Sequence, residues 1–412
     1  MSPASFTFLH AADLHLGSPL GGLALKDPEI ARRFAHASRE AFSSLVDQAL
    51  AAKVAFVIIA GDVYDGAWKD AAIGLFFNRE IARLAKAQIP VYLLKGNHDA
   101  ESEVSRALPA PPGVHTFSTR VTESFQIETL GVALHGRSYP VRDVSENYAL
   151  NYPPPVPGLL NIGVLHTALT GRAGHANYAP CDPADLISRG YDYWALGHVH
   201  DYEEVCAGDP TWIVYPGNIQ GRSVRECGPK GAVLVDVSHG QITAVRRIYT
   251  DCARWALAEA DISAVTSEEE FSRQAQTALN AAARDGAGLT ALRLRITGRS
   301  AFHHHVFTHR HRLRDEIQAL ADHVAQDLWI EKLEIASAEP AAAHDAALAG
   351  LDLAAAMQSL EADPELQAEA LRLLKEIGGK LPQSFDLSAL ENPAALLADA
   401  RAMVLGRSAG PA

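Results

Sequence analysis

Five short motifs hold residue types that bind metal ions: Asp13-Leu14-His15, Gly61-Asp62-Val63-Tyr64-Asp65, Gly96-Asn97-His98-Asp99, the single His166 after Gly163-Val164-Leu165, and Gly197-His198-Val199-His200. Asp13 and His15 are two apart, so on a strand they face the same side, and His198 and His200 do likewise. Asp62 has two oxygens with which to bridge a pair of ions; Asn97 offers a carbonyl oxygen and His166 a nitrogen. Carboxylate, amide and imidazole ligands without thiolate suit manganese, iron or zinc better than calcium. Two divalent ions about 3.5–4 Å apart would clamp the attacking and leaving oxygens of an in-line phosphoryl displacement, with a bridging water of lowered pKa as nucleophile. His98 is expected to project away from the ligands and to stabilise the developing charge or protonate the leaving oxygen. Asp99 is expected to orient its imidazole. Any one motif is weak, since a lone histidine is more often a packing or surface residue. Five in order, each after an apolar run, make packing a poor explanation.

The elements that must carry these residues are the apolar runs themselves, at 6–9, 56–59, 91–94, 162–165 and 193–196. They read as buried strands of a parallel sheet with covered faces. Ligands of such sheets bind beyond the carboxyl ends of the strands, which brings all five motifs to one edge. Asp27-Pro28 opens a helix that runs to about residue 52, and a second helix spans about 70–87. This β-α-β alternation predicts an α/β fold. From residue 114 short strands with turns follow, including 132–135, 212–215, 232–237 and 243–248, and they read more like hairpins. The expectation for 1–255 is a two-sheet β-sandwich flanked by helices. A helix over 266–283, a strand over 290–297, a helix over 312–326 and a strand over 329–335 predict a smaller α+β capping domain at 256–340. Pro340 to Ala343 reads as a linker, and 341–412 as C-terminal helices. Leu366, Ala370, Leu373, Leu374 and Ile377 form one apolar stripe, and Leu396, Leu397, Ala400, Met403 and Val404 another.

The bulk composition narrows the function classes. In 412 residues, 48% hydrophobic and 21% charged, the net charge is −13. That acidity argues against general affinity for nucleic acid, so any DNA binding must rest on local patches and on metal. The four cysteines show no close pairing, which favours reduced thiols. No apolar run reaches the ~20 residues of a membrane span and the start of the chain does not read as a signal peptide, so a cytoplasmic protein with no membrane partner is expected. Residues 291–314 carry Arg293, Arg295, Arg299, Arg310, Arg312 and Arg314 with no acid, and also His303, His304, His305, His309 and His311. This stretch reads equally as a phosphate-tracking surface or a solvated face. Arg137, Arg172, Arg222 and Arg225 fall in loops, where they would line a DNA path or form surface salt bridges. Tyr139 and Tyr178 would stack on a nucleotide or pack in the core, and His10 reads as strand packing.

The order Asp-x-His, Gly-Asp-x-x-Asp, Gly-Asn-His-Asp, His, Gly-His-x-His resembles the calcineurin-like metallophosphoesterases. Residues 11–17, 175–181, 191–198 and 215–222 are similar to the DNA-repair nucleases of the SbcD/YhaO type, bacterial relatives of the nuclease subunit of the MRN complex. The resemblance covers about 5–250 well and the remainder by layout. It implies one ion held by Asp13, His15, Asp62 and His200 and a second held by Asp62, Asn97, His166 and His198, with His98 as the catalytic histidine. The implied cofactors are two divalent metal ions, Mn²⁺ before Fe²⁺ or Zn²⁺. The implied activity is that of a DNA-repair nuclease, a 3′–5′ exonuclease with single-strand endonuclease action; DNA contacts are expected at Arg222, Arg293, Arg295 and Arg310. The implied partners are DNA, an SMC-like coiled-coil ATPase bound by the C-terminal helices, and a second copy meeting at the helices of 70–87 and 101–107. Asp65 departs from the MRN-type pattern, where histidine is common, and is left to hydrogen-bond within the site or to cap its loop. The alternative is a phosphoesterase for a small phosphodiester or phosphomonoester. A binding subunit with vestigial metals is a third reading, against which the complete ligand set stands.

Overall fold

The structure is a computed structural model that describes residues 5–18, 28–65, 71–101, 111–170, 178–283, 288–340 and 363–378, with 397 and 400. The chain divides into two compact units; of the described residues, 5–18 and 32–254 belong to the first, and 28–31 and those from 255 onward to the second.

The first unit is built on two six-stranded sheets. In one, β1 (Phe6–Ala11), β2 (Val57–Ala60), β3 (Val91–Leu94) and β4 (Val114–Thr116) pair in parallel in that order. Between β1 and β2 runs α1 (Pro28–Ala51), between β2 and β3 runs α2 (Ala71–Lys86), and after β3 comes the short α3 (Asn97–Glu101). The other sheet contains β5 (Glu123–Ile127), β6 (Val132–Gly136), β7 (Leu160–His166), β8 (Tyr193–Gly197), β9 (Glu203–Ala207) and β10 (Trp212–Tyr215), in the order β5-β6-β7-β8-β10-β9. A short helix α4 (Pro183–Ser188) precedes β8 and is opened by an Asp182–Asp185 capping box. A hairpin of β11 (Gly231–Ser238) and β12 (Gln241–Tyr249) then returns to the first sheet, where β11 lies antiparallel to β1.

The second sheet differs from the hairpin expectation. Strands β6, β7, β8 and β10 are parallel, and only its edge strands β5 and β9 pair antiparallel. The strand period of two sorts each run onto two faces. Phe8, Ile58, Ala60 and Leu94 face Leu134, Ile162, Val164 and Ala195 between the sheets. Leu9, Ala11, Val57 and Ile59 face Phe42, Leu45, Phe77 and Ile81 of α1 and α2. Both faces of the central strands are therefore dry, and the chain polarity of the parallel strands sends their following loops to one edge.

In the second unit a three-stranded sheet has the order β13-β14-β15, from β13 (Ala253–Asp261), β14 (Leu289–Thr297) and β15 (Leu328–Ile335), the last two parallel. Helices α5 (Glu268–Ala283), α6 (His303–Thr308) and α7 (Arg310–Val324) accompany it. Phe271, Ala275 and Leu279 on α5, with Leu313, Ile317 and Ala321 on α7, recur every four residues and pack with Leu292, Leu294, Ile296 and Ile330. Strand β13 was not anticipated; its alternation in Ala253–Asp261 is visible but falls where the catalytic pattern fades. Helix α8 (Pro364–Gly378) carries the first C-terminal stripe, with Leu366, Leu371 and Leu373 exposed. The linker from residue 341, most of the second stripe, and the 102–107 part of the expected pairing helix lie outside the described residues. Among the described residues no helix is long and apolar enough to cross a membrane.

Candidate metal centre

The ligand motifs leave the ends of five parallel strands, but not as extended pairs. Strand β1 stops at Ala11 and β8 at Gly197, so Asp13, His15, His198 and His200 all lie past the strand ends. Asp13, His15, Asp62 and His198 each have positive φ, at 51°, 41°, 55° and 96°. Turned backbone, not strand alternation, aims these side chains, and this corrects the i, i+2 expectation. Such φ values cost non-glycine residues energy and cluster at functional sites. Neighbouring main chain holds them. Asp13 N donates to Gly61 O at 3.0 Å, His15 N to Asp62 O at 3.0 Å, and Leu16 N to Val63 O at 2.9 Å. His198 N donates to Asp13 Oδ2 at 2.9 Å, and His98 N to Asp62 Oδ1 at 2.9 Å.

Two glycines let the strand ends close in. A Cβ on Gly197 would lie 2.0 Å from Ala60 O and 2.8 Å from His166 Nδ1. One on Gly96 would lie 2.3 Å from Asp62 Oδ1.

The seven expected ligands gather into two groups joined by Asp62. In the first, His15 Nε2 and His200 Nε2 face each other at 3.2 Å, with Asp13 Oδ1 at 3.8 and 3.6 Å from them and Asp62 Oδ2 3.9 Å from His15. In the second, His166 Nε2 is 3.4 Å from Asp62 Oδ2 and 2.9 Å from Asn97 Oδ1, and His198 joins Asp62 and His166 within metal-ligand reach. His166 Nδ1 is 2.9 Å from Ala60 O and donates to it, so Nε2 is the nitrogen directed at the cluster. Burial raises the Asp13 carboxyl and holds His15 well below the ordinary imidazole value. Burial also disfavours charge on His166, but the charge and hydrogen bond of Asp62 outweigh it and lift His166 to about 9. Two buried carboxylates and facing imidazole nitrogens, with His15 Nδ1 lacking any hydrogen-bond partner, form a donor set that fits divalent cations.

Residues 6–202 match the family model for the calcineurin-like phosphoesterases. The chain carries a calcineurin-like metallophosphoesterase domain. Residues 255–338 match the model for the middle domain of metallophosphoesterase YhaO. An uncharacterised metallophosphoesterase YhaO of Bacillus subtilis is 38% identical over 240 residues, 58% of this chain and 59% of that protein. A DNA double-strand break repair protein Mre11 of Methanopyrus kandleri is 24% identical over 291 residues, 64% of this chain and 61% of its own. The chain thus spans about three fifths of the length of these relatives. A dimetal phosphatase structure from Danio rerio covers 56% of this chain and 92% of its own, at 12% identity and a TM-score of 0.35, too distant to bear on the chemistry.

Beside the candidate ligands of this metallophosphoesterase domain, His98 has its side chain 28% exposed. Its Nδ1 lies 2.9 Å from Asp65 Oδ1, so the carboxylate that orients the imidazole is Asp65 and not Asp99. On the helix α3, consecutive side chains diverge by about 100°. Asp99 points inward, where its oxygens accept the backbone N–H groups of Val63, Tyr64 and Gly96 at 3.0, 3.1 and 3.1 Å. Burial works against charge on His98, but the hydrogen bond that it donates to Asp65 and the charge of Asp62 raise its pKa.

The expected DNA contacts of the phosphoesterase scatter. Arg222 lies at the ligands, 2.9 Å from Glu226 Oε1 and 3.6 Å from Asp65 Oδ2. In the second unit Arg293 pairs with Glu331 at 2.9 Å, Arg295 with Glu334 and Glu259 at 3.4 and 3.6 Å, and Arg310 sits over the Phe307 ring. Arg312 pairs with Glu268 and Glu316, and His304 and His305 with Glu339 and Glu268. Arg293, Arg295 and Arg312 are therefore paired with acids that lie outside the 291–314 stretch, which its own residues did not reveal. Arg137 lies over Tyr148, Arg225 is exposed, and Arg172 lies outside the described residues. Tyr139 is core, its hydroxyl donating to His166 O at 2.6 Å, while half-buried Tyr178 sets its ring against that of His198 at 5.5 Å. His10 is core, between the Tyr193 hydroxyl and Leu196 O. No disulfide joins the four cysteines.

Proposed function

We propose that the chain is a two-metal phosphodiesterase that hydrolyses DNA strands. The observation that carries the reading is the gathering of Asp13, His15, Asp62, Asn97, His166, His198 and His200 beside a partly exposed His98 held by Asp65. Asp13, His15, Asp62 and His200 would hold one ion, and Asp62, Asn97, His166 and His198 the other. Bound there, the pair of cations would supply Lewis acidity to the phosphoryl group and a nucleophile at neutral pH. Asp65 keeps the His98 Nδ1–H in place, so Nε2 is the atom that gives a proton to the leaving oxygen. Manganese suits the mixed oxygen and nitrogen donors. DNA as substrate is favoured by the relatives named for double-strand break repair. By the same resemblance α8, with its exposed leucines, is proposed to dock a coiled-coil ATPase.

A second reading, hydrolysis of a small phosphoester, is favoured by the ion-paired arginines of the second unit and the net charge of −13. One experiment separates the two. The pure protein with Mn²⁺ is given linear DNA and a chromogenic phosphodiester in parallel. DNA degradation that is lost in His98→Ala supports the nuclease; turnover of the small ester alone rejects it.

A further inference from the structure

The candidate ligand His200 has a partner on its far side that no motif announces. Its Nε2 faces His15 Nε2 within the candidate ligand cluster, and its Nδ1 lies 2.8 Å from Glu226 Oε1. Glu226 lies between β10 and β11, and its side chain is 12% exposed. Both of its oxygens are fixed. Oε2 accepts Asn218 Nδ2 and the Arg222 backbone N–H, each at 2.8 Å. Oε1 accepts Arg222 Nη2 at 2.9 Å and lies 3.3 Å from Arg222 Nε. The Arg222 guanidinium in turn reaches Asp65, the carboxylate on His98.

We propose that Glu226 is a positioning residue for the metal ion on the His200 side, clamped in place by Arg222. The proposal rests on the two-ion reading above. An ionised carboxylate only accepts, so the Glu226 contact puts the hydrogen of neutral His200 on Nδ1 and leaves Nε2 a lone pair for the ion. Arg222 Nη2 also lies 3.2 Å from His200 Nδ1. Without Glu226 it would donate there, which forces the proton onto Nε2 and removes the lone pair. The arginine that supports the ligand while the carboxylate is present therefore opposes it once the carboxylate is gone. His166, a candidate ligand of the other ion, is oriented instead by the carbonyl of Ala60. Glu226 should thus act on one ion of the pair and not on both.

The test titrates Mn²⁺ alone into wild type, Glu226→Gln, His200→Ala and the double variant, and follows the six-line electron paramagnetic resonance signal of free Mn²⁺. Wild type should bind two ions. Glu226→Gln should weaken one of them by about 10- to 100-fold and leave the other unchanged. In the His200→Ala background the same change should add no further loss, because Glu226 acts through that imidazole. Unchanged affinities in a folded Glu226→Gln, or losses that add in the double variant, overturn the assignment. Glu226→Asp is the second variant: it keeps the charge but withdraws the oxygen from Nδ1, so it too should weaken one ion, and two wild-type affinities overturn the proposal. Failure of wild type to bind two ions overturns the metal reading itself, and the role of Glu226 falls with it.

Discussion

Asp65 Oδ1 lies 2.9 Å from His98 Nδ1, and the other oxygen of the same carboxylate takes the Ser18 hydroxyl at 2.6 Å. The pair is thereby held from behind, on the Nδ1 side of the imidazole. Asp65→Asn keeps an oxygen to accept Nδ1–H but removes the charge that favours the imidazolium. It should lower kcat on a phosphodiester by about 10²-fold or more, close to the effect of His98→Ala, with Mn²⁺ binding retained. A kcat within a factor of two of wild type would exclude Asp65 from proton transfer.

Asp99 should behave in the opposite way. Its oxygens satisfy three main-chain donors of the Val63–Tyr64 and Gly96 loops. Asp99→Ala strands those buried N–H groups, each at about 1–3 kcal/mol if unrelieved. Urea unfolding should show a loss of about 3 kcal/mol in the variant, while Asp65→Asn stays within about 1 kcal/mol of wild type. Equal stability of Asp99→Ala and wild type would contradict the structure.

Gly197 has no positive φ, so an alanine there meets no backbone penalty; only the close approach to Ala60 O and His166 forbids it. Gly197→Ala must push β8 away from β2 and carry His198 with it. The expected result is a loss of about 1–3 kcal/mol in stability together with reduced Mn²⁺ stoichiometry, read by thermal unfolding and metal analysis. Normal stoichiometry at normal stability would show that the strand ends have more room than described.

His10 should make the fold acid-sensitive. Burial lowers its pKa from 6.5 to about 3, with the Leu196 carbonyl acting weakly the other way. Between pH 6.5 and 3 the unfolded chain takes up a proton here that the folded chain does not. Stability from this site is therefore fully present above pH 6.5 and is lost as pH falls towards 3. At pH 5 the loss is about 2 kcal/mol. His10→Gln keeps a donor for Leu196 O and an acceptor for the Tyr193 hydroxyl without titrating. Comparing urea unfolding at pH 7.5 and pH 5, wild type should lose about 2 kcal/mol more than the variant; equal losses would show that His10 titrates normally.

The five motifs that carry the candidate ligands were legible because each motif follows its own apolar strand, so that sheet polarity brings them to one edge. What partners them was not. Whether Asp65 or Asp99 meets His98 depends on how far α3 has turned at each residue, and both acids lie near His98 in their motifs. Glu226 is separated from His200 by 26 positions that include β9 and β10, and it stands in no motif of its own. The parallel core of the second sheet was missed because its crossovers lack the usual signal. From β6 to β7 the chain forms only a short 3-10 turn at Tyr148–Asn151, where a parallel crossover commonly carries a longer helix. Strand β13 alternates plainly, but it stands at the junction of two units, where the motif pattern of the first fades.

The left-handed backbone at Asp13, His15, Asp62 and His198 is tied by main-chain and carboxylate hydrogen bonds among the loops themselves. The cradle is therefore a product of folding and not of metallation, unlike small zinc domains that collapse when stripped. Chelation should leave the far-ultraviolet circular dichroism unchanged, and the emptied protein should reload without refolding. Among the cations that suit these donors, availability where the protein is made would then weigh on which one occupies it, so the metal recovered with the purified protein would report on its surroundings as well as on its sequence.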